Sequence, residues 1–161
     1  ASDVYKRQQE DLRRDHVTGV YNAVYLNEEF RPHAERAAMD GQPVGVVMLR
    51  VNEYWQLREH ESSTAADCCL NMAAGILQLA VGPDREKAVL ARLNDGFFAV
   101  VTLGTPAAKM AKVVREAMND SRREFNISLS RRGSFTVAIA SAEWGETASW
   151  DMMLSLAQQR L

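Results

Sequence analysis

Residues 44–51, VGVVMLRV, are apolar on both alternating faces and rich in valine, with Arg50 the one charged member. Such a strand has no polar face to give to water, so it belongs inside a sheet covered on both sides. The flanking sequence supplies the cover. From Asn22 to Met39 the residues Leu26, Phe30, Ala34 and Ala37 recur at helical intervals, and Asp40-Gly41 with Pro43 ends the run. Thr64 and Asp67 have capping-box spacing ahead of a helix whose Leu70, Ala73, Ala74, Leu77 and Val81 share one face, stopped by Gly82-Pro83. Thr105-Pro106 opens a third helix with Met110, Val113, Val114, Ala117 and Met118 inward. A last helix from Ser149 turns Trp150, Met153, Leu154 and Ala157 inward.

Two hairpins complete the pattern. Apolar runs at 87–93 and 97–103 flank Asn94-Asp95-Gly96, where Gly96 is expected to take a positive φ. ISLSRRGSFTVAIA, residues 127–140, alternates around Arg132-Gly133 and predicts a second hairpin. The order helix, helix, strand, helix, hairpin, helix, hairpin, helix predicts an α/β (α+β) fold, a mixed sheet with helices packed on it.

Other features narrow the function. A length of 161 residues suits one domain, and a net charge of -2 lacks the basic footprint of nucleic-acid binding. No unbroken apolar run reaches the roughly 18 residues of a membrane span and no signal peptide opens the chain, so no membrane contact and a cytoplasmic setting are expected. Cys68 and Cys69 are adjacent and are read as buried helical thiols, while His16, His33 and His60 lack zinc-ligand spacing. Residues 3–15 mix both charge signs around Val4 and Leu12, which predicts a solvated helix with a narrow apolar stripe. Residues 1–14 are therefore read as a signalling or linker helix ahead of a domain at 15–161.

Three stretches together resemble a known family. DHVTGVYNAVYL (15–26), LRVNEYWQLREHESSTAAD (49–67) and RLNDGFFAVV (92–101) resemble, in order and spacing, the conserved segments of GGDEF domains, the diguanylate cyclases. The resemblance implies a nucleotidyl-cyclase-like fold with a ferredoxin-like core and a central mixed or antiparallel sheet. It also implies condensation of two GTP molecules into cyclic di-GMP, with two Mg²⁺ ions, across a pair of facing domains. That chemistry needs carboxylates to hold hard cations against developing phosphate charge. The family's two metal-carboxylate positions carry Arg50 and Gly96 here, its paired glycines are Asn94 and Asp95, and its second acidic residue is Phe97; Phe98 alone survives from the five-residue signature. Its guanine-contacting Asn aligns with Arg58, whereas its guanine-contacting Asp is retained as Asp67, a residue that a helix-capping role would equally explain. Of the inhibitory Arg-x-x-Asp, Arg85 remains and Ala88 replaces the carboxylate.

These substitutions predict a degenerate GGDEF domain with no catalytic residues and no metal site, Mg²⁺ being expected only if cyclase activity were retained. Arg50, Arg58 and Asp67 are residual nucleotide-binding candidates, and Arg85 a remnant of the inhibitory site. The expected role is a regulatory, dimerisation or protein-interaction module of a larger bacterial signalling protein. Its expected partners are other domains of that protein, a homodimer or heterodimer with GGDEF-type domains, and GTP or cyclic di-GMP. A nucleotide receptor and an active cyclase are the alternatives. One geometric expectation follows from the charges: Arg50 pairs with Asp95 within about 4 Å, filling the former metal volume.

Overall fold

In the computed structural model the described residues are 2–84, 87–128 and 135–161, with 122–128 described in backbone only. The VGVVMLRV segment forms β2 (Val44–Val51), buried along its length except at Arg50. It lies between β4 (Phe97–Leu103) and β5 (Val137–Glu143), antiparallel to both. Beyond β4 come antiparallel β3 (Ala88–Asn94) and the two-residue β1 (Tyr21–Asn22), which runs parallel to β3, so the sheet order is β1-β3-β4-β2-β5. This mixed five-stranded sheet flanked by helices is the expected architecture.

Both faces of β2 are covered, as its double-sided apolarity requires. Val47, Leu49 and Val51 pack with Leu70 and Leu77 of α4 (Ser63–Val81) and with Ala111 and Val114 of α5 (Ala107–Ser128). Val46 and Met48 join the other layer, with Leu26 and Phe30 of a π-helical segment (Tyr25–Phe30), Ala34 of α2 (Arg31–Met39), and Trp150 and Met153 of α7 (Trp150–Gln159). Full burial of each such side chain stabilises the fold by about 1.5–3 kcal/mol. Between β2 and α4 lies the short α3 (Tyr54–His60), and a single turn, α6 (Trp144–Thr147), joins β5 to α7. The first helix, α1 (Ser2–Arg13), buries no residue.

Several boundaries differ from the sequence reading, each for a local reason. The helix expected from Asn22 begins later, because the Asn22 carboxamide donates to the Leu12 carbonyl (2.7 Å) and accepts from Tyr25 N–H (3.0 Å), which leaves Asn22 extended in β1. The N-cap of α4 is Ser62, whose hydroxyl accepts from Ala65 N–H at 3.0 Å, so Thr64 and Asp67 are not a capping pair. The second hairpin differs from expectation at its start, where Ile127 and Ser128 belong to α5; the rest of its first arm, from 129, lies outside the described residues, and its second arm forms β5, paired with β2. The Arg132-Gly133 turn lies outside the described residues. The start of α5 is closed by Glu143 at the end of β5, whose carboxylate accepts from Ala107 N–H at 2.5 Å. On β5, the outer strand of the sheet among the described residues, Arg115 and Arg160 donate to the carbonyls of Ile139 (3.2 Å) and Ser141 (2.8 Å).

By length and composition α4 is apolar enough to cross a membrane, but its inward face carries Leu70, Ala73, Ala74 and Leu77 into the sheet core. The two thiols are unlike one another. Cys69 is buried, with burial pushing its pKa up to about 11, whereas Cys68 is exposed, contrary to the expectation that both are buried. Iodoacetamide at pH 8 is therefore expected to alkylate Cys68 in the folded protein and Cys69 only after denaturation, as peptide mass spectrometry reads directly.

Candidate functional site

The β3–β4 turn meets the end of β2 and the start of α3. Arg92, on β3, organises the turn: its Nε donates to the Asp95 carbonyl at 3.0 Å, and its Nη1 lies 2.9 Å from Asp15 Oδ1. Both side chains of this ion pair are largely buried, at 12% and 15% exposed. The second Asp15 oxygen accepts from Thr18 N–H and hydroxyl at 2.9 and 2.7 Å, so the same carboxylate shapes the DHVTG loop. A left-handed backbone does occur in the turn, but at Asp95 (φ 46) and not at Gly96. Glycine is required at 96 for another reason. A Cβ there would stand 2.9 Å from both Tyr54 Cβ and the Val51 carbonyl oxygen, and the Gly96 carbonyl accepts from Val51 N–H at 2.8 Å.

Arg50 sits opposite Phe97 on β4 and Ala138 on β5. Its Nε donates to Asn52 Oδ1 at 2.9 Å, and Asn52 Nδ2 donates to the Thr136 hydroxyl at 3.0 Å. Thr136 in turn donates to Glu53 from its hydroxyl and, at 2.8 Å, from its backbone N–H. The expected Arg50–Asp95 pair is not among the ion pairs of the described residues. Side chains two apart in an extended segment share a face, so Asn52 is the nearer acceptor, while Asp95 belongs to the turn that Arg92 holds. At the end of β2 and in the hairpin turn the chain thus presents a guanidinium and a glycine backbone packed against Tyr54. That set does not fit a hard divalent cation, which wants several carboxylate or carbonyl oxygens. Among the described residues no three His, Cys, Asp or Glu side chains cluster to hold one.

Arg58, on α3, donates from Nη1 to the Tyr54 hydroxyl at 2.7 Å and stands 5.8 Å from the Trp55 ring centre. The hydrogen bond to Tyr54 raises its pKa, burial opposes this, and the charges of Asp67 and Asp95 add to the rise. Asp67 and Asp95 both therefore lie within electrostatic range of Arg58. Asp67 lies beyond the first turn of α4, half-buried. Asn94 is exposed, Phe97 is half-buried, and Arg85 lies outside the described residues. Sequence reasoning missed Asn52, Glu53 and Thr136, and also the Arg92–Asp15 pair. Partners separated by 77 or more residues leave no local signal; the opposite charges of Arg92 and Asp15 inside the resembling segments were the one available hint.

A ferredoxin-like sheet whose hairpin turn meets α3 at the end of β2 defines a nucleotidyl-cyclase-type domain. The family model described as diguanylate cyclase, GGDEF domain matches residues 12–161, and the chain belongs to the GGDEF family, the domain family of cyclic di-GMP signalling. Among similar solved structures is the coiled coil and GGDEF domain of DgcB from Caulobacter crescentus in complex with c-di-GMP. The match has a TM-score of 0.83 at 18% identity and covers 98% of this chain and 83% of that one. The FimX GGDEF domain from Pseudomonas aeruginosa matches with a TM-score of 0.70 at 22% identity, covering 91% and 90%. Diguanylate cyclase SiaD in complex with its activator SiaC, also from Pseudomonas aeruginosa, matches with a TM-score of 0.69 at 21% identity, covering 98% of this chain and 65% of that one.

The turn geometry has separable consequences for stability. Gly96→Ala is expected to cost about 1–3 kcal/mol, the usual penalty for overpacking, read as a lower midpoint in urea unfolding. Asp95→Gly relieves the left-handed residue and leaves the Arg92 bond to the backbone carbonyl intact, so its midpoint is expected at or above that of the wild type.

Proposed function

We propose that this chain is a catalytically silent GGDEF domain that acts as a regulatory module within a larger bacterial signalling protein. The observation that carries the reading is Arg50, a fixed cation bonded to Asn52 where metal-dependent phosphoryl chemistry would need a carboxylate. A guanidinium keeps its charge at any ordinary pH and repels a divalent cation. Tyr54 and Val51 support the same reading, because they pack against Gly96 so closely that no side chain, a carboxylate included, fits at that position. A regulatory domain of this kind works through contacts with neighbouring domains or with another GGDEF-type domain. The coiled coil named with the DgcB domain, and the activator bound to SiaD, are arrangements of that sort in proteins of the same fold.

A second reading has its own support. Arg50 uses Nε on Asn52, and a planar guanidinium with further donors suits phosphate, so a receptor that binds GTP or cyclic di-GMP without metal is the alternative. Two measurements separate these readings. Incubation of the purified chain with GTP and Mg²⁺ or Mn²⁺ is expected to yield no cyclic di-GMP by mass spectrometry, and product formation would overturn the proposal of silence. Isothermal titration with GTP and with cyclic di-GMP, each with and without Mg²⁺, is expected to give no heat at high micromolar ligand. Metal-independent heat that disappears in Arg50→Ala would establish the receptor reading instead.

A further inference from the structure

The outer surface of the layer formed by α4 and α5 carries a strip that the fold does not use. Along α4, Met72, Ile76 and Leu79 recur at i, i+4 and i+7; Met72 and Ile76 pack into the core, whereas Leu79 is 88% exposed. Along α5, Met110, Val113 and Ala117 recur at i, i+3 and i+7; Met110 and Ala117 pack into the same core, whereas Val113 is 40% exposed. These two flanks face one another. The other flank of α4, with Gln78 and Val81, turns to a cavity beside β3, and the other flank of α5, with Arg115, bonds to β5. Leu79 and Val113 therefore stand at the solvent side of the seam between α4 and α5. The ridge of α5 beside that seam is charged in order. Lys109, Lys112, Glu116 and Asp120 are exposed, follow one another at three- and four-residue steps, and form no ion pair among the described residues. The order also opposes the dipole of the helix, which disfavours a cation in the first turn, where Lys109 stands. Helix stability thus does not account for the row.

We propose that this strip is an interface with a second copy of the chain, the two α5 helices crossing antiparallel about a two-fold axis between Val113 and Glu116. The occupant follows from the charge order. Two cations followed by two anions match the same row reversed, and an antiparallel copy supplies that reversal. Lys109 of one copy then meets Asp120 of the other, and Lys112 meets Glu116, each pairing repeated by the symmetry. The exposed Val113 and Leu79 of both copies are covered beside the axis, which gives the contact an apolar centre with a charged border. A foreign helix would have to carry this row by coincidence, whereas a second copy has it by construction. The N-terminal helix takes no part in the contact. The inference goes beyond the regulatory reading and stands without it, because association is measured in the absence of nucleotide and independently of turnover.

Sedimentation velocity of the intact chain over a range of concentrations, without nucleotide, tests it. The wild type is expected to be a reversible dimer that weakens as salt is added, and Leu79→Asp and Val113→Asp are each expected to be monomeric. Both side chains reach the surface, so circular dichroism and thermal melting should match the wild type and exclude misfolding as the cause. Lys112→Glu is expected to weaken the dimer about tenfold, equivalent to about 1.4 kcal/mol, and Glu116→Lys in the same chain to restore it. A wild type that stays monomeric throughout, or a dimer that survives both apolar variants and so forms through another face, overturns the proposal. A double charge reversal no tighter than Lys112→Glu alone overturns the antiparallel pairing on which it rests.

Discussion

The arrangement of the site depends on one side chain, Arg92. Its planar fork bonds two segments far apart in sequence, the Asp15 carboxylate at the start of the DHVTG loop and the Asp95 carbonyl in the hairpin turn. Because the pair is largely buried, removal of one partner leaves the other as an uncompensated charge, which is the expensive case for ion pairs. The turn thus held delivers Gly96 to Val51 and Tyr54 with no room for a side chain. The end of the central strand, the start of α3 and the DHVTG loop therefore form one rigid corner.

Cations at this corner are tied into local hydrogen bonds. At the end of β2, Arg50 joins a relay through Asn52 and Thr136 to Glu53. On α3, the second cation, Arg58, bonds Tyr54 and is favoured in its charged form by Asp67 and Asp95. Asp67 thus has an electrostatic partner in Arg58 without any nucleotide. Each of the two cations has a hydrogen-bonding neighbour within a few residues, Asn52 for Arg50 and Tyr54 for Arg58.

Much of the fold was legible because burial imposes period. The two-faced apolarity of residues 44–51 placed β2 inside the sheet, and the Leu70, Ala73, Ala74 and Leu77 spacing placed α4 against it. What escaped was set by partners distant in sequence or by competing local bonds. Asn22 was absorbed into a helix because its side-chain bonds to Leu12 and Tyr25 leave no periodic trace, and the alternation beginning at Ile127 suggested a strand where Ile127 and Ser128 still belong to α5. At the site, the candidate positions were legible as substitutions, but Arg50 was assigned the wrong partner. Opposite charge alone did not register that Asn52 shares the face of Arg50 whereas Asp95 is committed to the turn.

The arginines on β5 have a consequence for how such a domain meets its neighbours. With Arg115 on the carbonyl of Ile139 and Arg160 on that of Ser141, two acceptors of an outer strand are already occupied by cations. At the opposite margin, β1 shields β3 at Ala91 and Arg92. Lateral growth of the sheet, the route by which exposed strands recruit one another into aggregates, is thereby discouraged at both borders that the described residues form. Contacts through helical surfaces rest instead on side chains and can be specific.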